Sequence, residues 1–178
     1  YPKIYSLKYE SKPITIKQIQ QTLKNNETFL EYCNDGETYY CLSISKTTIT
    51  FKICGNKNKT DTLVQSYLTS ILNKKLDEEI VMEEEVQVAV SEIFGQLFKT
   101  HKEMNTSLIE YITKNLLPKT LNENLIISSD ATLQQLSFDA LKNNSSDYLI
   151  NEHTTQYTFS ANTYFNHQPI IKSKKIIA

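Results

Sequence analysis

The chain has 178 residues, 39% of them hydrophobic and 22% charged, enough apolar content for one packed domain and too much for a disordered or coiled-coil chain. Its 19 Lys and Arg against 20 Asp and Glu leave a net charge of -1, which argues against a nucleic-acid backbone as partner. No apolar run approaches the roughly 18 residues that a membrane span requires.

Residues 1–13 are Tyr-rich without a sustained period and read as a lead-in arm whose partner lies elsewhere. Ile16, Ile19 and Leu23 recur at helical spacing, with Thr15 as N-cap and Gln18 as its capping-box partner; Asn25 and Asn26 end the helix. From Thr28 to Cys54 the period switches to two. Phe29 to Cys33 predicts a strand, Asn34 to Glu37 a turn, Thr38 to Ser45 a second strand and Thr48 to Cys54 a third. Tyr40, Leu42, Ile44, Ile49, Phe51 and Ile53 fall on the more apolar side, the side expected to pack on helices in an antiparallel meander. Gly55 and the polar residues 56–59 are expected to close this unit.

Thr60 or Asp61 then caps a predicted helix with the stripe Leu63, Val64, Tyr67, Leu68, Ile71 and Leu72. A dense acidic segment, Asp77 to Glu85, precedes a second stripe at Val86, Val90, Ile93, Phe94 and Leu97. Thr106 is expected to cap a third helix carrying Leu108, Ile109, Ile112, Leu116 and Leu117, with Pro118 just past its end. The last third alternates in the α/β manner. Leu125-Ile126-Ile127 is a short apolar run of the kind found in strands covered on both faces, and Thr155 to Phe159 predicts another strand. Lys174 to Ala178 reads as a strand only begun, so truncation is expected there; Tyr1, with no initiating Met or signal segment, reads as a boundary. The expected class is α/β (α+β overall). Residues 1–123 form a meander and helical region and residues 124–178 the start of an α/β core, within one structural unit.

Few chemistries suit these residues. Gly36, Gly55 and Gly95 are too scattered for a phosphate-cradling loop, which removes Walker-type and dinucleotide chemistry. Cys33, Cys41 and Cys54 make no disulfide framework and no zinc-ligand pair, and free thiols favour a reducing, cytoplasmic setting. Paired with His101, His153 or His167 they could in principle supply an activated nucleophile. All three nevertheless fall in or beside strands, where free Cys is usually a small buried hydrophobe. The acidic run lacks the alternation and turn glycine of a calcium loop and reads as a solvated helix face or, alternatively, a docking surface for a basic partner. Asn58-Lys59-Thr60 and Asn105-Thr106-Ser107 match a glycosylation pattern that an Asn- and Thr-rich chain produces by chance. No catalytic, cofactor or metal residue is assigned from these patterns.

The segment Asn124-Leu125-Ile126-Ile127-Ser128-Ser129-Asp130-Ala131-Thr132-Leu133-Gln134-Gln135-Leu136-Ser137-Phe138-Asp139-Ala140-Leu141 says more. It resembles the early core of the CHAT domain, a bacterial caspase-like cysteine peptidase family often fused to tetratricopeptide repeats. That family has an apolar strand, Pro-Asp-Gly, a Leu, then Leu-Pro-Phe-Glu-Ala-Leu, and a Tyr-Leu-Ile-Glu stretch leading to a strand ending in Ser. Tyr148-Leu149-Ile150-Asn151-Glu152 and Tyr157-Thr158-Phe159-Ser160 fit that continuation. Ser129 and Ser137 stand where the family has prolines, and Ala131 where it has glycine. The resemblance implies that the catalytic His and Cys lie on strands beyond Ala178 and that this chain alone is inactive. It implies a scaffold for that dyad in a signalling or defence peptidase or pseudo-peptidase. The partners would be the rest of the caspase-like domain, helical repeats and a protein or peptide substrate. Asp130 would sit at the carboxyl end of the first core strand, as a possible edge of the substrate cleft. Its plainer alternative is a helix or turn cap. A rival reading is an interaction module that docks a partner through the acidic helix and an open sheet edge.

Overall fold

The meander is built from β1 (Glu27–Asn34), β2 (Thr38–Ser45) and β3 (Ile49–Asn56), in successive antiparallel pairs. The computed structural model describes residues 13–72, 101–142 and 147–166, together with Val88 and Glu92, both helical. Two more strands, β4 (Asn124–Ser128) and β5 (Thr154–Thr158), join β1 in parallel, giving one mixed sheet of order β3-β2-β1-β4-β5. Helix α1 (Ile16–Thr22) precedes β1, and α2 (Lys57–Leu72) and α3 (His101–Leu116) lie between β3 and β4. Two 3-10 turns (Ala131–Gln135 and Phe138–Ala140) and α4 (Leu149–Glu152) link β4 to β5, and α5 (Ala161–Asn166) follows. The fold is α/β.

Local chemistry explains several boundaries. The Thr15–Gln18 capping box forms as the sequence suggests: Gln18 N donates to Thr15 Oγ1, and Thr15 N donates to Gln18 Oε1 at 2.9 Å. In the β1–β2 turn Gly36 takes φ +100°, a left-handed conformation that glycine adopts without strain. Opposite Tyr39 and Tyr40 the register skips Cys54, a bulge flanked by Gly55 at φ +113°. Both long helices begin earlier than expected. Asn56 Oδ1, not Thr60 or Asp61, accepts the Lys59 amide at the start of α2, so residues 57–59 are helical. Helix α3 starts at His101, which leaves Thr106 in its interior.

One face of the sheet carries the larger core. Leu30, Tyr32, Tyr39, Cys41, Leu125 and Ile127 pack there against Leu63, Val64 and Tyr67 of α2, Leu108, Ile112 and Leu116 of α3, and the 3-10 turns. The opposite face holds a smaller core, in which Ile19 of α1, Leu23 at its C-cap and Ala161 of α5 cover Phe29, Ile44 and Ile126. The expectation for the meander holds only in part: Leu42 and Ile44 of the apolar side pack on the short helices, and the β3 residues of that side do not. The mixed side of β2 and β3 meets the long helices, and the apolar side of β3 is open, with Ile49 48%, Phe51 65% and Ile53 67% exposed. Parity is the cause: register puts Tyr39 and Cys41 beside Leu30 and Tyr32, and that shared face holds the large helical stripes. The side chains of Ile71 and Leu72 lie outside the described residues. So do residues 1–12, the acidic run 77–85, the stripe at Val86, Val90, Ile93, Phe94 and Leu97, and the basic end 172–178.

Lys52 sits on the packed side and closes the end of α3. Its ammonium donates to the carbonyls of Lys114, at 2.8 Å, and Leu117, groups left without partners by the helix end. Lys52→Met removes these charge-assisted bonds. Urea unfolding is expected to show a loss of about 1 kcal/mol, a discounted figure because the ammonium is partly solvated. Ala131 has φ +51°, where a β-carbon costs about 1–2 kcal/mol. Ala131→Gly relieves that strain against about 0.4–1 kcal/mol of extra unfolded-chain entropy, so a rise in the unfolding midpoint is expected.

Candidate functional site

Strands β1, β4 and β5 run in parallel, so their carboxyl ends share one edge of the sheet, the edge where α/β folds place ligands. Asp130 stands there, two residues past the end of β4. Its Oδ1 accepts the Ala131 amide at 2.7 Å, the N-cap bond of the first 3-10 turn. Its Oδ2 accepts Asn34 Nδ2, also at 2.7 Å, and Asn34 Oδ1 accepts the Gly36 amide at 3.1 Å. Asp130 therefore performs the cap role and also stands exposed at the carboxyl edge. Nothing in the sequence pairs Asn34 with Asp130; the parallel β1–β4 register brings them together.

Two further acidic groups surround this edge. Asp35 accepts from the Glu37 and Thr38 amides at 2.9 and 2.8 Å and from the Tyr40 hydroxyl at 2.7 Å. Those bonds, that of Tyr40 foremost, hold its carboxyl down at about 2. Glu31 points to the α5 side, where burial pushes its carboxyl up and the Ala161 amide partly offsets that.

The cysteines divide. Cys41 and Cys54 are buried, as strand cysteines usually are. A hydrogen bond to Cys54 and burial both push the Cys41 thiol up, so it is no ready nucleophile. Cys33 departs from the expectation and is exposed. It lies past Glu31, the last β1 residue paired with β4, so β2 flanks it and β4 does not. Burial, Glu31 and Asp130 all push its thiol up, the opposite of activation. His153 precedes β5 at the other end of the sheet and donates from Nδ1 to the Asn122 carbonyl at 2.8 Å. With Cys33 past the carboxyl end of that pairing, the two are roughly 20 Å apart at ~3.3 Å per strand residue. The side chain of His101, and His167, lie outside the described residues. Among the described residues no thiol meets an imidazole, and no group of three or more His, Cys, Asp or Glu could hold a metal ion.

Sequence reasoning overlooked Asp139. It accepts from Thr155 Oγ1 and, at 2.9 Å, from the Tyr157 hydroxyl, which itself accepts the Phe138 amide at 2.9 Å. This network staples the second 3-10 turn to β5 and so fixes the spacing of the last two strands. The available signal was its place in the Phe138-Asp139-Ala140-Leu141 run, where the resembling family has Glu. No family model matches the chain, and no curated protein matches its sequence. Among the described residues no helix is long and apolar enough to cross a membrane.

The Asp35 turn gives a pH prediction. Its folded carboxyl lies below the unfolded value of about 3.9, so its contribution is present above pH ~4 and fades as pH falls toward ~2. Thermal unfolding across that window should show Asp35→Asn losing less stability on acidification than the parent sequence. Identical acid limbs would refute the assignment.

Proposed function

We propose that this chain is the non-catalytic amino-terminal part of a CHAT-type cysteine peptidase or pseudo-peptidase, building the half-sheet on which a downstream His-Cys dyad is positioned. The observation that carries this reading is β5. It is the outermost strand, it is parallel to β4, and among the described residues nothing pairs with its other edge. Parallel strands are normally buried inside sheets, and an open parallel edge is a template for another strand. Tyr157 and Phe159 there are 47% and 87% exposed, which suits a sheet that continues.

Two local features add support. The segment carrying the family resemblance forms a strand, a capped turn and a return that packs Leu133, Leu136, Phe138 and Leu141 into the main core. The left-handed backbone at Ala131 falls where the family has glycine. In this reading the parent cleaves peptide bonds through a thiolate, in signalling or defence under control of helical repeats. The cytoplasm is the compartment that suits its free thiols. Asp130 and Asn34 form one rim of the cleft. The interaction-module reading draws on a different feature, the uncovered strip of Ile49, Phe51 and Ile53 on β3.

Hydrogen exchange separates the two readings. Amides of Thr154 to Thr158 should exchange faster in the 178-residue chain than in the protein expressed from its complete reading frame, where a further strand pairs with β5. Equal exchange in both, or thiol-dependent peptide hydrolysis by the 178-residue chain alone, would overturn the scaffold reading.

A further inference from the structure

At the end of the sheet opposite Asp130, a groove of about 1100 Å³ runs beneath the carboxyl end of α3 and along the amino ends of β4 and β5. Lysines outnumber carboxylates in its lining. Lys52, Lys114, Lys119 and Lys142 line it against Glu110 and Glu152, on a chain whose own net charge is -1. Pro118 and Leu121, both partly exposed, supply apolar lining beside the ammonium groups. Lys52 is occupied with the end of α3, and Lys142 lies over the Tyr148 ring at 5.6 Å. Lys114 and Lys119 are exposed, and no salt bridge involves either among the described residues. Burial, with Lys119 as a nearby like charge, lowers the Lys52 ammonium. Cations gathered in a concave, partly apolar wall raise the local concentration of anions. The groove is too large for one small anion and borders an edge strand, where Thr50, Phe51 and Lys52 of β3 line it.

We propose that this groove docks an acidic, partly apolar peptide segment of a partner protein, with carboxylates meeting Lys114, Lys119 and Lys142 and apolar side chains meeting Pro118 and Leu121. The site is independent of the scaffold reading, because it uses neither the carboxyl edge nor the outer edge of β5. The partner class follows from charge complementarity and from the size of the groove.

The probe is a fluorescein-labelled 12-residue peptide of alternating Glu and Leu, titrated with the 178-residue chain by fluorescence anisotropy. Its control is the matching Gln and Leu peptide. The acidic peptide is expected to bind, and more weakly as salt rises. The double variant Lys114→Gln/Lys119→Gln should weaken it about tenfold, while Lys17→Gln, on α1 across the sheet, should leave it unchanged. The unfolding midpoint of each variant checks that the fold is kept. Equal binding of both peptides, no binding of the acidic one, or equal loss in Lys17→Gln would overturn the proposal. So would saturable binding of tripolyphosphate without competition against the peptide.

Discussion

Residues Glu27 to Glu31 pair in parallel with Asn124 to Ser128, and the rest of the molecule depends on that junction. The meander on one side of it is local and could form early. The parallel half cannot: β4 reaches β1 only after the chain has passed through α2 and α3. Closing such a long connection costs entropy before any contact compensates. Burial supplies the compensation. Phe29, Leu30, Leu125, Ile126 and Ile127 are almost fully excluded from water, and each such side chain contributes about 1.5–3 kcal/mol. Polar groups align the same seam, since Asn122 Nδ2 donates to the Glu27 carbonyl at 3.0 Å and the Asn122 amide to Thr28 Oγ1 at 3.2 Å.

Covering is unequal on the two faces, and the difference shapes the surface. Two sixteen-residue helices roof one side, and the buried Tyr32 hydroxyl donates to the Leu116 carbonyl at 3.2 Å beneath them. On the other side α1 and α5 have seven and six residues. They reach the centre of the sheet, where Phe165 meets Phe29 edge-on at 5.2 Å, and leave β3 bare. Exposed β-branched and aromatic side chains on β3 are therefore a consequence of short helices over a five-stranded sheet. The lysine-lined groove has a related origin, since it opens where α3 ends above the start of the parallel strands.

Much of this was legible from period and punctuation. The Thr15 capping box, the β1–β2 turn at Gly36, the three strands of the meander and the apolar run at Leu125 all carry local signals, and each formed. What sequence reading missed depends on distant partners. The exposure of Ile49, Phe51 and Ile53 was missed because the choice of the more deeply covered side is made by α2 and α3, not by the apolar content of β3. The start of α3 was misplaced because Thr106, a good cap residue, sits inside a helix that begins at His101. At the carboxyl edge Asp130 was visible through its place after an apolar strand, whereas Asn34 was not. Its side chain gains a partner only once β1 and β4 align. Cys33 likewise looked like its two buried counterparts, but β4 ends opposite Glu31 and leaves Cys33 flanked by β2 alone.

The most direct measurement is a through-space proton NMR experiment on the isotope-labelled chain, reading cross-strand contacts between β1 and β4. The predicted pattern is that of parallel neighbours, with Phe29 beside Ile126, Leu30 beside Ile127 and Glu31 beside Ser128. An antiparallel pattern, a register displaced by even one residue, or a β4 that contacts β3 instead would contradict the account, because Asn34 and Asp130 could then not share an edge.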